Sequence, residues 1–160
     1  MTWKAFTFIA GSLLLAQTCQ KEVNEYLRKP NAQFEFSLQK TACYGTCPTY
    51  VMELNGKGEL HITGERFVGF KGERDTLLSK SELDTLKARI VAANFPALDS
   101  VYNNEGITDI PSNILQLSVG KAAYEKQVIA RHEYPNKLRY LIYYCEQLRQ
   151  RYFPNGEKEG

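Results

Sequence analysis

The stretch TYVMELNGKGELHITG, residues 49–64, decides the fold. Tyr50, Met52 and Leu54 alternate along its first half, and Leu60 and Ile62 along its second. Period-two alternation places one set of side chains on one face of a strand. Between the runs stands Asn55-Gly56-Lys57-Gly58. Asn-Gly between two alternating runs is the strongest short-range hairpin signal. Strands joined by so tight a turn are antiparallel.

Working outward, QFEFSLQK (33–40) alternates Phe34, Phe36 and Leu38 and reads as another half-buried strand. ERFVGF (65–70) is expected as a further strand and DTLLS (75–79) as a short or edge strand. Ser79 and Glu82 fit a capping box, in which each side chain satisfies a backbone donor left free at a helix start. Leu83, Leu86 and Ile90 then share one helical face, and the helix should end near Asn94, before Phe95-Pro96. Residues 95–112, FPALDSVYNNEGITDIPS, read as a long irregular connection. SNILQLSV, Gly120-Lys121 and AAYEKQVIA form a second hairpin pattern. A last helix is expected to open at Pro135, with Leu138, Leu141, Ile142, Cys145 and Leu148 on its apolar face. The fold class is therefore α+β: a single antiparallel sheet built from hairpins, with two amphipathic helices packed on one face.

The chain start reads differently. Lys4 precedes the apolar run AFTFIAGSLLLA (5–16), which suits an export signal and is too short to span a bilayer, for which about 20 apolar residues are needed. Ala16 and Thr18 are small, and Cys19 follows. The pattern resembles a bacterial lipobox with Cys19 as the lipidated residue, although Leu15 stands one place earlier than the usual leucine. The expected organisation is an export signal peptide over 1–18, a lipid-attachment cysteine and polar tether over 19–32, one domain over 33–153 and a disordered tail over 154–160. Lipidation would make a membrane a partner of the chain. The net charge of +2, without a basic stripe, speaks against nucleic acid.

The four cysteines separate by context. Cys145 lies on an apolar helical stripe, where cysteine behaves as a small hydrophobe. Cys43 and Cys47 remain as a pair in TACYGTCPTY (41–50). An exported chain meets an oxidising environment, which favours a disulfide. Four extended residues span about 13 Å and a disulfide needs Cα atoms about 5.5–6 Å apart, so the chain must turn. Gly45, through a positive φ, is the residue expected to allow it. Two other readings stay open. A redox-active pair normally has two intervening residues and a helix N-terminus beneath its first thiol. A zinc site would recruit His61 and His132, the only histidines.

CYGTCPTY also carries a resemblance. Cys43, Tyr44, Gly45, Cys47, Pro48 and Tyr50 resemble the core of domain of unknown function 6438. GKGELHITGERFV, the capped helix ending in NFPAL, Tyr102 and Asp109 follow in the order of that family. The resemblance runs from about Phe34 to Arg149, with Lys40 where members often have arginine. It implies a small exported or lipid-anchored bacterial protein and no established activity.

No phosphate-binding loop, dinucleotide fingerprint or nucleophile elbow is present. No cofactor is expected. Asp109 reads first as a turn-shaping residue and second as a functional carboxylate. Ten tyrosines offer contact area with a polar tip. Tyr44, Tyr50, Tyr102 and Asp109 are the candidate binding residues, and the connection over 97–112 is the candidate functional segment. The expected function is a non-enzymatic envelope module that binds a protein, peptide or glycan. The alternative is a thiol-redox or zinc-dependent protein centred on Cys43 and Cys47.

Overall fold

The computed structural model describes residues 21–120 and 124–154. The expected export signal over 1–18, Cys19 and residues 155–160 of the expected tail lie outside the described residues. Residues 21–27 form a helix, α1. The strands β1 (Phe34–Lys40), β2 (Thr49–Asn55), β3 (Glu59–Arg66) and β4 (Gly72–Leu77) follow. Then come α2 (Lys80–Ala92), a 3-10 turn at Phe95–Ala97 and β5 (Val101–Tyr102). β6 (Asn113–Val119), β7 (Tyr124–Ala130) and α3 (Asn136–Tyr152) complete the fold.

The seven strands make one sheet in the order β4-β3-β2-β1-β6-β7-β5. The α+β class holds, but the sheet is mixed. β5 pairs with β7 in parallel, Val101 with Ile129 and Tyr102 with Ala130, whereas the other pairs are antiparallel. The 95–112 connection is thus less irregular than its composition suggests, since it contributes the 3-10 turn and this edge strand.

Register follows the alternation. Phe36 stands between Leu54 and Leu117, and Leu38 between Met52 and Leu115. Phe34, Phe36, Leu38, Met52, Leu54, Ile62, Leu115 and Leu117 are all buried on this inner face. Leu86 and Ile90 of α2 belong to the same core, as do Leu138, Leu141, Cys145 and Leu148 of α3. Each buried aliphatic side chain contributes about 1.5–3 kcal/mol before entropy is counted.

The β2–β3 turn is held by backbone and side chain together. The Gly58 N–H donates to the Asn55 carbonyl at 3.0 Å, and the Asn55 Oδ1 accepts from the N–H groups of Lys57 and Glu59. Gly58 has φ +86°, the left-handed position of a three-residue hairpin loop.

Two local expectations are corrected, and a third, the end of α2 near Asn94, holds. Residues 21–32 are not a bare tether: Val23, Leu27 and Ala32 are buried in the core, so the packed unit begins before residue 33. Val23 and Leu27 sit one helical turn apart, which is why a segment so polar still folds. ERFVGF is not a separate strand. β3 ends at Arg66, Phe67 takes φ +58°, and Val68 and Phe70 fold back over Gly64, whose missing side chain leaves them room. Finally, α2 stops because Asn94 adopts φ +49°, two residues after Ala92.

The capping box at α2 forms as the sequence implies. It also does more. Glu82 Oε2 accepts from Ser79 Oγ at 2.7 Å and from Tyr152 Oη at 2.6 Å, while Arg151 reaches Oε1 at 2.5 Å. Burial opposes ionisation of Glu82. The hydrogen bonds from Ser79, Tyr152 and Arg151 outweigh it and hold the carboxyl at about 2. One carboxylate thereby fastens the start of α2 to the end of α3.

Candidate functional site

Four connections gather at one end of the sheet, because register puts Lys40, Tyr50, Arg66, Asn113, Ala130 and Tyr102 at that end of their strands. They are the loops 41–48, 67–71, 103–112 and 131–135. Cys43 and Cys47 form a disulfide there, with Cα atoms 5.7 Å apart. The turn inside it is tight. The Gly45 N–H donates to the Cys43 carbonyl at 2.9 Å, so Tyr44 is the middle residue of a γ-turn. Gly45 itself is absent from the residues with positive φ, which corrects the role expected of it. Its only near neighbour at the Cβ position would be Cys43 Sγ at 3.8 Å.

Tyr44 is 91 % exposed. Its N–H donates to the Asp109 carbonyl at 3.4 Å, so the structure brings Tyr44 and Asp109 together through backbone. Asp109 has φ +61°, and its Oδ2 accepts from Thr108 Oγ1 at 3.1 Å. It shapes its own turn while its carboxylate remains at the surface. The two loops are tied again below, where Thr41 and Ser112 exchange hydrogen bonds at 3.0 and 2.8 Å.

The other two candidates are placed differently. Tyr102 is half-buried, and its hydroxyl accepts from the Asp99 N–H at 2.9 Å. It closes the turn before β5. Tyr50 has no accessible surface and belongs to the core. Its alternation with Met52 and Leu54 is the reason: all three face inward. Burial first, then the nearby Glu146 charge, push its phenol upward in pKa. Glu146 is itself penalised by burial. The bond from Lys40 Nζ at 2.5 Å and the charge of Arg149 keep its pKa low nonetheless. Since Lys40 and Tyr50 pair across the base of the 41–48 loop, this cluster roots the loop in α3.

The family model for domain of unknown function 6438 matches residues 34–149. The chain belongs to that family. The matched domain begins at the first residue of β1 and ends within α3, so it contains all seven strands and the disulfide loop. The helix α1 precedes it. No curated protein is significantly similar to the chain.

The two histidines do not come together. His61 lies on β3 of the 6438 domain, where Nδ1 meets Asp75 Oδ1 at 2.7 Å. His132 follows β7, separated from β3 by β2, β1 and β6. Four strand steps are about 19 Å. Among the described residues no group of three or more His, Cys, Asp or Glu is placed to hold a metal. Both sulfurs of the pair are bonded to each other in this structure. Cys145 is fully buried, and burial pushes its thiol up in pKa.

The outer face of the sheet carries a second feature. A shallow depression of about 850 Å³ is lined by Glu35, Glu53, Glu59, His61, Asp75 and Glu125, among others. These are the polar partners in the alternating runs, so the sequence already held this signal. The bond to Asp75 raises the His61 pKa, burial lowers it, and the charges of Asp75, Glu73 and Glu53 raise it further.

Proposed function

We propose that the protein is an exported binding module of the bacterial envelope, tethered through a lipidated Cys19, that holds a partner protein, peptide or glycan at the Cys43–Cys47 loop. The observation that carries this reading is Tyr44, a large aromatic side chain 91 % exposed on a loop closed covalently and bonded to its neighbour. Aromatic anchors held on rigid loops dominate recognition surfaces, because they bring contact area at little entropic cost. A disulfide in that place presents the residue instead of supplying a reactive thiol. The apolar run before Cys19 supports export and anchoring.

A photoreactive amino acid at Thr46, beside Tyr44, tests the reading in intact envelopes. A discrete cross-linked adduct is expected, lost when Tyr44→Ala is added, while the melting temperature stays unchanged. An adduct that survives Tyr44→Ala, or none at all, would sink the loop as the recognition site. Cys19→Ala should move the protein from the membrane fraction to the soluble fraction; retention in the membrane would end the anchoring reading.

A further inference from the structure

The helical side of the molecule has a chemistry of its own. Along α3, Tyr140, Tyr143, Gln147 and Gln150 recur at spacings of three, four and three, and all four are exposed. Such spacing draws one stripe down a helix. Tyr140 and Tyr143 are 57 % and 62 % exposed, against the pattern for so large an apolar ring. Lys137 and Arg139 flank the two tyrosines and are exposed as well. Of the four cations on the helix, Arg149 is buried and Arg151 reaches Glu82, which leaves Lys137 and Arg139 on the exposed face; the one carboxylate is Glu146. Glu146 is turned inward onto Lys40 and Arg149, so it does not offset the stripe. On neighbouring α2, Arg89 stacks over Tyr144, and the exposed Asp84 is held by Lys80.

The opposite side has the reverse sign. Glu35, Glu53, Glu59, Asp75 and Glu125 line the outer face of the sheet. A chain of net charge +2 is thus divided into an acidic sheet face and a basic, tyrosine-bearing helix face.

We infer that the exposed stripe of α3 is a docking surface for an anionic lipid bilayer, which lays the domain on the membrane with its acidic sheet face outward. Tyrosine rings settle at the headgroup level of a bilayer, and lysine and arginine are drawn to anionic lipid. Chain geometry agrees. α1 is helical from residue 21, two positions after Cys19, so the anchor sits within about 7 Å of the packed unit. α1 packs beside α2, with Asn24 bonded to Asn94 and Lys87 to the Lys29 carbonyl. The buried residues of α1, α2 and α3 join one core with the inner face of the sheet. A short leash therefore leaves from the helical side. This inference rests on membrane anchoring at Cys19, and the test separates the two.

The mature chain from Cys19 is coupled through that thiol to a maleimide lipid, which fixes the attachment whatever the cell does with Cys19. The only tryptophan of the sequence is Trp3, so the mature chain has none and a single reporter can be added. Tyr143→Trp reports the helix face and Gln127→Trp the sheet face. On vesicles with about a third phosphatidylglycerol, brominated acyl chains should quench the reporter at 143 at least about twofold more than the one at 127. Lys137→Glu with Arg139→Glu should abolish the difference, each cation being worth about fivefold in surface affinity. Moderate salt should reduce it, and vesicles of phosphatidylcholine alone should show little. Tyr140→Trp repeats the measurement if Tyr143→Trp perturbs folding. Equal quenching at 127, or quenching at 143 indifferent to lipid charge, overturns the inference. A native chain released from membranes would end the anchoring reading and leave this result standing.

Discussion

The connections at the two ends of β2 are held by different forces. Residues 56–58 leave it through a turn pressed into the body of the protein. The Gly56 N–H donates to the Phe34 carbonyl at 2.9 Å, and a Cβ on Gly56 would overlap the Ala32 carbonyl oxygen and stand 3.2 Å from the Phe34 nitrogen. Gly58 accepts from the Leu78 N–H at 2.9 Å, which ties the turn to the start of α2. Residues 41–48 enter β2 through a loop with an exposed tip at residues 44–46, closed by one covalent bond and hydrogen-bonded to the 103–112 loop. A connection buried against backbone serves the fold. A connection stiffened from within and exposed at its tip is free to serve something else. That difference singles out the proposed recognition loop better than residue type does, because both connections contain glycines and polar residues.

The largest effect is expected at Gly56. Gly56→Ala should cost about 3 kcal/mol, since the added methyl meets backbone that cannot step aside. Urea unfolding reads the loss directly, and a variant as stable as the parent would show that the turn is not pressed at all.

At that same end, Glu82 closes the α2 start against Tyr152 and Arg151. Its pKa of about 2 lies below the ordinary 4.5, so the charged form is the one the fold favours. The stabilisation is complete above pH 4.5 and fades as pH falls toward 2. Glu82→Gln should cost between about 2 and 3 kcal/mol at neutral pH, solvent at the edge of the site trimming the full effect. The gap between variant and parent should close on acidification. A gap constant from pH 7 to pH 2.5 would place the stabilisation elsewhere.

Local pattern carried much of this architecture and little of its long-range part. The Asn55–Gly58 turn, the Ser79–Glu82 box and the α3 stripe each lie within a few residues, and each forms. β5 is two residues long and gains its identity from Ile129 and Ala130, far along the chain, so no window around it announces a strand. Val23 and Leu27 did announce α1, but their polar surroundings obscured them. At the candidate site, the pairing of Cys43 with Cys47 was legible from spacing and compartment, whereas the exposure of Tyr44 and burial of Tyr50 depend on which face each takes. For Tyr50 the alternation with Met52 already answered that. For Tyr44 only the γ-turn does, and a γ-turn has no sequence signature strong enough to read.

At the exposed end, the disulfide is the one covalent fastening, beside the Tyr44–Asp109 and Thr41–Ser112 hydrogen bonds. Cys43→Ser with Cys47→Ser should cost about 2 kcal/mol, the entropy of a loop so short. The domain should stay folded, with faster amide exchange confined to residues 41–48 and the 103–112 loop bonded to them. Exchange rising equally through the turn at Gly56 would erase the distinction between the two connections.

Gly45 should matter least, and this sets it apart from Gly56 most sharply. Its φ is not in the left-handed region, so an L side chain meets no backbone penalty there. A methyl would find only Cys43 Sγ, at an ordinary contact distance of 3.8 Å. Substituting alanine also removes conformational freedom from the unfolded chain, which slightly favours the fold. Gly45→Ala should therefore change stability by less than about 0.5 kcal/mol in either direction. The same substitution at position 56 costs several times that, although both glycines occupy connections of one strand. A loss of 2 kcal/mol at Gly45, measured by the same urea titration, would mean that the disulfide loop is packed as tightly as its counterpart and has no claim to be the exposed, presenting one.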